Sequence, residues 1–282
     1  MKKKLKVNQM KLNKQNYFSP EANRKYMSVS QFKDFAPAWG GCEAMALAKL
    51  KGEYEPPFNM AFMEGHFVHA WNEGNLEEFK ANNPDLYSSR GPTAGQLKAN
   101  FKHCNTMIEV LENDEMVMKV LAGQKEVILT AELFGVEWKI MLDSYNPDIK
   151  VFTDLKALRD IDGKFWNNEI HAYENFLEKY GYLTQMAVYA EIERISQGRQ
   201  PGDWCVPHMV IVTKQDPPDH EIIYFDYYMI ETELLKVQKH IDRVMQVKDE
   251  VVEPIRCEKC EYCRSTKKIT SIKHYMEFDL YD

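Results

Sequence analysis

After Gly123 the spacing of apolar residues switches from helical to alternating and stays so for three consecutive runs, 127–134, 136–144 and 150–157. Gly135 marks the first turn between them, and Asn146-Pro147-Asp148 the second. Turns this short leave no room for a crossover, so the three runs must pair antiparallel as a meander. A long helix over 172–196 follows, then two more strands over 205–213 and 221–229, joined by Gln215-Asp216-Pro217-Pro218. A helix over 231–248 comes next. A meander, a long helix and two returning strands predict an α/β fold, a central mixed β-sheet flanked by helices.

The chain ahead of the meander reads as helical. Ser28 or Ser30 can cap a first helix whose apolar face begins with Phe32 and Phe35. Pro37 and Gly40-Gly41 interrupt it, and helix resumes over 42–50. After a loop at 53–57, a helix over 59–80 carries Phe62, Gly65, His69 and Glu73 at helical spacing. Residues 94–121 are further helix with a break near Asn113-Asp114. Residues 1–26 are polar and aperiodic, and they predict a flexible basic arm. Its Lys2, Lys3, Lys4, Lys6, Lys11 and Lys14 either touch phosphates or serve as solubilising charge. Residues 27–265 then form a single domain, and 266–282 a C-terminal tail.

Composition narrows the function classes. Apolar residues make up 44% of the chain, enough for a substantial core. The net charge of −7 argues against a protein that coats nucleic acid nonspecifically. It does not argue against an enzyme acting on nucleic acid, because a carboxylate site is itself acidic and bound cations reverse the local sign. No apolar run approaches the ~18 residues of a membrane span, and no apolar stretch follows the N-terminal lysines. A cytoplasmic chain with no membrane partner is the expectation. In that compartment the six cysteines are not a disulfide framework. Cys104 and Cys205 read as small buried apolar residues, whereas Cys257, Cys260 and Cys263 have ligand spacing.

Asp143 closes the second strand of the meander, and Asp154 lies on the third. Antiparallel neighbours place such residues within ~5–8 Å of each other. Alternation points Asp154 and Lys156 to one face and Leu155 to the other. Two hard carboxylates suit magnesium or manganese. Such an ion lowers the pKa of a bound water and stabilises charge building on a phosphate. Lys156 would hold the attacking water and offset charge at the scissile phosphate. The bland alternative leaves both aspartates in turns and Lys156 solvated. Against it, two charges share one face of a strand otherwise rich in core residues.

The pattern Asp143…Asp154-Leu155-Lys156 resembles the PD-(D/E)XK nuclease superfamily. Gln185 and Tyr189, in Tyr182-Leu183-Thr184-Gln185-Met186-Ala187-Val188-Tyr189, are similar to the Gln-x-x-x-Tyr motif of its RecB-type branch. Gly65-His66-Phe67-Val68-His69 is similar to that branch's Gly-x-x-x-His helix. The stretch from Glu132 through Lys139 to Asp143 resembles the strand pair before the first aspartate in RecE-like phage exonucleases. The resemblance spans about 27–265, with Ala157 where many relatives have threonine. It implies a restriction-endonuclease-like core in which His69, Asp143, Asp154 and the Leu155 carbonyl hold the metal. Gln185 and Tyr189, one helical turn apart, would face the site and contact DNA or position Lys156. Glu132 would assist a second metal or else be an exposed strand glutamate. Glu73 would orient the His69 imidazole. His66 and His103 read as surface or satisfied histidines.

The activity so implied is a Mg2+- or Mn2+-dependent DNA exonuclease serving phage-type recombination or end resection. It would degrade linear duplex from its 5′ ends and leave a strand for a single-strand annealing recombination protein. A homo-oligomeric ring is compatible with that role. Two alternatives stay open: a CRISPR-associated adaptation nuclease, and a catalytically silent DNA-binding module on the same fold.

Three thiolates at Cys257, Cys260 and Cys263 need a fourth ligand for tetrahedral zinc or a cubane. Cys42 is the candidate, and its setting resembles the N-terminal cysteine helix of iron–sulfur RecB-type nucleases. There a distant first cysteine joins three near the C-terminus. That resemblance implies a 4Fe–4S cluster clamping the two ends of the domain. The gap before the last cysteine is shorter than in that group, which keeps zinc and free thiols open.

Overall fold

The computed structural model describes residues 10–167, 171–272 and 274–277. Helices α1 (Pro20–Lys25), α2 (Val29–Phe35), α3 (Glu43–Lys51), α4 (Met60–Glu73), α5 (Leu76–Asn82), α6 (Ala99–Glu112) and α7 (Glu115–Val120) precede the sheet. Strands β1 (Gln124–Leu133), β2 (Val136–Asn146) and β3 (Val151–Leu158) form the antiparallel meander. Phe134 and Gly135 both have positive φ (53° and 72°), which gives the β1–β2 turn the twist a two-residue hairpin needs. A minor hairpin, β4 (Phe165–Asn167) and β5 (Ala172–Glu174), leads to α8 (Phe176–Lys179) and α9 (Tyr182–Ser196). Strand β6 (Val206–Thr213) then returns parallel to β3, and β7 (His220–Tyr224) pairs antiparallel with β6. Helices α10 (Tyr227–Lys248) and α11 (Glu261–Ser265) follow. The five-stranded sheet runs β1-β2-β3-β6-β7, the mixed sheet that the meander and returning strands predict.

Alternation along the inner strands divides the apolar residues between two cores. Phe152, Met209 and Ile211 join the larger one, with Phe32, Trp138, Met186 and Ile230. Leu155, Val210 and Val212 join the smaller one, with Phe67, Phe101, Met107 and Leu111. β3 is therefore held from both sides. Truncating the fully buried Leu155 to alanine would cost about 2–5 kcal/mol. The residues between Phe152 and Leu158 sit on a strand with little freedom to move.

The structure corrects four boundaries. The helix expected over 59–80 divides at Gly74, whose φ of 77° caps α4. The helix expected over 172–196 starts only at Tyr182, because Gly181 adopts φ 63° and Asn175 with Glu178 caps a separate short turn. The last strand stops at Tyr224 rather than 229, because the Asp226 side chain accepts from the Met229 N–H at 2.8 Å and opens α10 early. The described part of the expected arm, residues 10–26, packs on the domain. Tyr17, Ala22 and Tyr26 are buried, and Met27 hydrogen-bonds to β2 through Glu137 and Lys139 at 2.8 Å each. Lys2, Lys3, Lys4 and Lys6 lie outside the described residues. Among the described residues no helix is long and apolar enough to cross a membrane.

Candidate active site

The last paired positions of β2 and β3 are Ser144 and Thr153. One step further the same register sets Asp143 opposite Asp154, and there the ladder ends. The Asp143 carboxylate takes its place: Oδ2 accepts from the Leu155 N–H at 2.8 Å. Its Oδ1 lies 3.5 Å from His69 Nδ1, which α4 carries across the splayed strands. Asn72, one turn beyond His69, secures that helix by donating to the Asp143 carbonyl at 3.3 Å. Lys125 Nζ in turn donates to Asn72 at 2.6 Å and to Ser144 at 2.9 Å.

Asp154 is 4% exposed. Gln185 Nε2 donates to its Oδ1 at 2.7 Å, and Lys156 Nζ lies 2.9 Å from Oδ2. Leu155 points into the smaller core, so Asp154 and Lys156 share the opposite face, as strand alternation requires. The Lys156 ammonium also sits 5.1 Å from the centre of the Tyr182 ring. Tyr189, one turn past Gln185, packs its ring against Phe152.

These charges shift one another. Burial pushes the Asp154 carboxyl above its ordinary value, despite Lys156. Burial opposes the charged forms of Asp143 and His69 too, yet their mutual attraction wins. Asp143 is held low and His69 high. Burial also works against Lys156, but Asp154 and Asp143 raise it to about 12, so it stays a cation. A cleft of ≈ 710 Å³ opens over this group, lined among others by His69, Glu73, Glu126, Lys139, Gln185 and Tyr189.

The structure thus brings together His69, Asp143, Asp154, Lys156, Gln185 and Tyr189. Gln185 meets the second aspartate itself. Glu132 is not part of the group. It is exposed, lies opposite Glu137 near the hairpin turn and does not line the cleft. Glu126 lies there instead, six residues or about 20 Å along β1. Burial, then Glu73 and Asp143, raise its carboxyl to about 7. Counting back from the Phe134-Gly135 turn finds it: Lys125 pairs with Ser144 and Val127 with Leu142, leaving Glu126 opposite Asp143. Glu73 lines the cleft but does not orient His69; it accepts from Asn75 at 2.9 Å and pairs with Lys14 at 3.5 Å. Of the histidines set aside, His103 is satisfied by the Lys214 carbonyl at 3.1 Å, while exposed His66 lines the cleft.

Asp154 Oδ2 is buried and meets only the Lys156 ammonium among the described residues. A buried carboxylate whose oxygen meets only an ammonium, within the field of the Asp143 carboxylate and the His69 imidazole, has the donor chemistry for a hard divalent cation.

A family model described as a PDDEXK-like domain of unknown function (DUF3799) matches residues 28–266. The chain belongs to that family. This places the chain in the PD-(D/E)XK nuclease superfamily. A crystal structure named "Putative exonuclease", from Eubacterium rectale, is 39% identical to it. That similarity covers 95% of this chain and 98% of the other, with a TM-score of 0.86. No curated protein matches the chain.

A group of four cysteines lies away from the cleft. Cys42, at the N-cap of α3, meets Cys257, Cys260 and Cys263, and their four sulfurs lie within 4.8 Å of one another. Burial works to raise the Cys257 thiol, but the amide N–H groups of Cys260 and Lys259 and the neighbouring Cys260 and Cys42 side chains together bring it down to about 6. Cys104 and Cys205 are buried apart from this group, as expected of small apolar residues.

Proposed function

We propose that the chain is a metal-dependent DNA exonuclease whose reaction takes place in the cleft over Asp143, Asp154 and Lys156. The observation that carries this reading is the pairing, in one cleft, of the buried Asp154 carboxylate with a buried, charged lysine 2.9 Å from its Oδ2. His69, Asp143, Asp154 and the Leu155 carbonyl would hold Mg2+ or Mn2+. When bound, the ion supplies a water acidic enough to attack at neutral pH and a counter-charge for the phosphate.

Lys156 is placed to orient the attacking water and to meet negative charge on the phosphate. Gln185 fixes the Asp154 carboxylate, and the Leu155 amide fixes Asp143, so neither has to rotate to receive an ion. Glu126, with its carboxyl raised to about 7, is a candidate to support a second ion, the role expected of Glu132. A second cavity of ≈ 410 Å³ adjoins Lys156 and His69 and is lined by Phe62, Tyr180, Tyr182, Arg159 and Lys214. Aromatic faces among cations suit stacked bases and a phosphate chain, which supports a nucleic-acid strand as the substrate.

Exonuclease rather than endonuclease character rests on the name of the Eubacterium rectale neighbour. The 5′-to-3′ polarity and a recombination role rest on the RecE-like resemblance. Linear duplexes labelled at one 5′ or one 3′ end, and a covalently closed circle, test these points together. With Mg2+ the expectation is stepwise loss of the 5′ label as short products, while the circle survives. Cutting of the circle would overturn the exonuclease assignment, and 3′-first loss would reverse the polarity.

A further inference from the structure

Two of the cysteine sulfur contacts are close. Cys42 Sγ is 3.6 Å from Cys263 Sγ, and Cys257 Sγ is 3.9 Å from Cys263 Sγ. A single tetrahedral ion with arms of about 2.3 Å to sulfur sets its four ligands about 3.8 Å apart. A cubane works differently. Each cysteine binds a different corner iron, so the cluster body stands between the sulfurs and drives them further apart than one ion does. The 4Fe–4S cluster implied by the resemblance therefore does not fit this spacing.

We propose that Cys42, Cys257, Cys260 and Cys263 bind one zinc ion as a closed, structural tetrahedral site. Four thiolates favour a soft or borderline cation, and four protein ligands leave no open position for substrate. Cys42 and Cys263 are 2% and 0% exposed, so the centre of the group is shielded. Two backbone donors point at sulfur: Cys260 N–H to Cys257 at 3.2 Å and Cys263 N–H to Cys260 at 3.4 Å. They stabilise thiolate charge and set sulfur directions. Arg256 donates to the Cys263 carbonyl at 2.6 Å, which brings a cation beside a centre of net negative charge. On binding, the ion displaces protons from those thiols that carry them, and the protons pass to solvent.

The ion fastens the start of α3 to the segment after α10. Glu43 braces the same junction, pairing with Arg243 at 2.6 Å and accepting from the Ile255 N–H at 2.7 Å. Ala46, Lys49 and Leu50 of α3 line the catalytic cleft. The zinc site thus holds one wall of the cleft without taking part in its chemistry.

Metal analysis and X-ray absorption on anaerobically purified, full-length protein test the assignment. The expected result is about one zinc per chain, a single shell of four sulfurs at about 2.3 Å, and no metal–metal scattering. The Asp154→Ala variant is expected to keep its zinc and Cys263→Ser to lose it. Iron with iron–iron scattering, a metal-free wild-type chain, or zinc that leaves with Asp154→Ala would each overturn the proposal. None of these readings depends on whether the cleft cuts DNA.

Discussion

The cleft and the cysteine site both gather side chains capable of binding a metal from distant parts of the chain, but they do so in opposite ways. In the cysteine site the four sulfurs face a common point, within 4.8 Å of one another. In the cleft each carboxylate has protein partners of its own: Asp143 takes the Leu155 amide and His69, and Asp154 takes Gln185 and Lys156. The first arrangement is closed and suits an ion that stays. The second leaves one oxygen of Asp154 with only the Lys156 ammonium and opens onto a large cleft, which suits an ion that arrives with substrate. Position on the chain does not decide the difference; the partners around each ligand do.

The sharpest way to break this contrast is to remove one member of each group. Asp154→Ala should lower metal-dependent nucleotide release by about 10³-fold or more, while far-UV circular dichroism stays that of the parent. Cys263→Ser should act in the reverse order. Its thermal midpoint should fall by more than about 5 °C in calorimetry, and activity at low temperature should fall less than in Asp154→Ala. Equal loss of activity in both, with equal loss of stability, would mean that the two groups are not separate devices.

Smaller effects sharpen the picture of the cleft. Glu126→Gln should reduce kcat about tenfold, whereas Glu132→Gln should leave it unchanged, and steady-state kinetics on one linear substrate compares the two. Phe62 is 69% exposed at the edge of the second cavity. Phe62→Ala should raise KM about fivefold to tenfold with little change in kcat, from the loss of one stacking contact. A change confined to kcat would remove Phe62 from substrate binding.

Much of the cleft was legible because its chemistry lies on regular elements. Asp143, Asp154 and Lys156 are on strands, where a period of two fixes the face, and Gln185 and Tyr189 are one turn apart on α9. His69 came from a motif resemblance rather than from periodicity, since helical spacing alone does not say which residue of α4 reaches the sheet. Glu126 is hidden in the sequence because β1 register has to be counted from the turn at Phe134-Gly135, whereas the motif resemblance points to Glu132. The misplaced start of α9 has a local cause. Apolar spacing continues through Phe176 and Leu177, and only the left-handed Gly181 separates that turn from the helix. Packing of residues 10–26 had no periodic signal at all. It depends on Tyr17, Tyr26 and a buried Lys139 whose ammonium binds the Tyr17 carbonyl and Asn23.

The most direct test of the catalytic reading is the initial rate of nucleotide release from linear duplex DNA as Mg2+ is titrated. Wild-type protein should show no release without the metal and a saturable rise with it. Asp154→Ala, still folded and still carrying its cysteine-bound zinc, should stay at background throughout. Release that ignores added magnesium, or that survives in Asp154→Ala, would contradict the account.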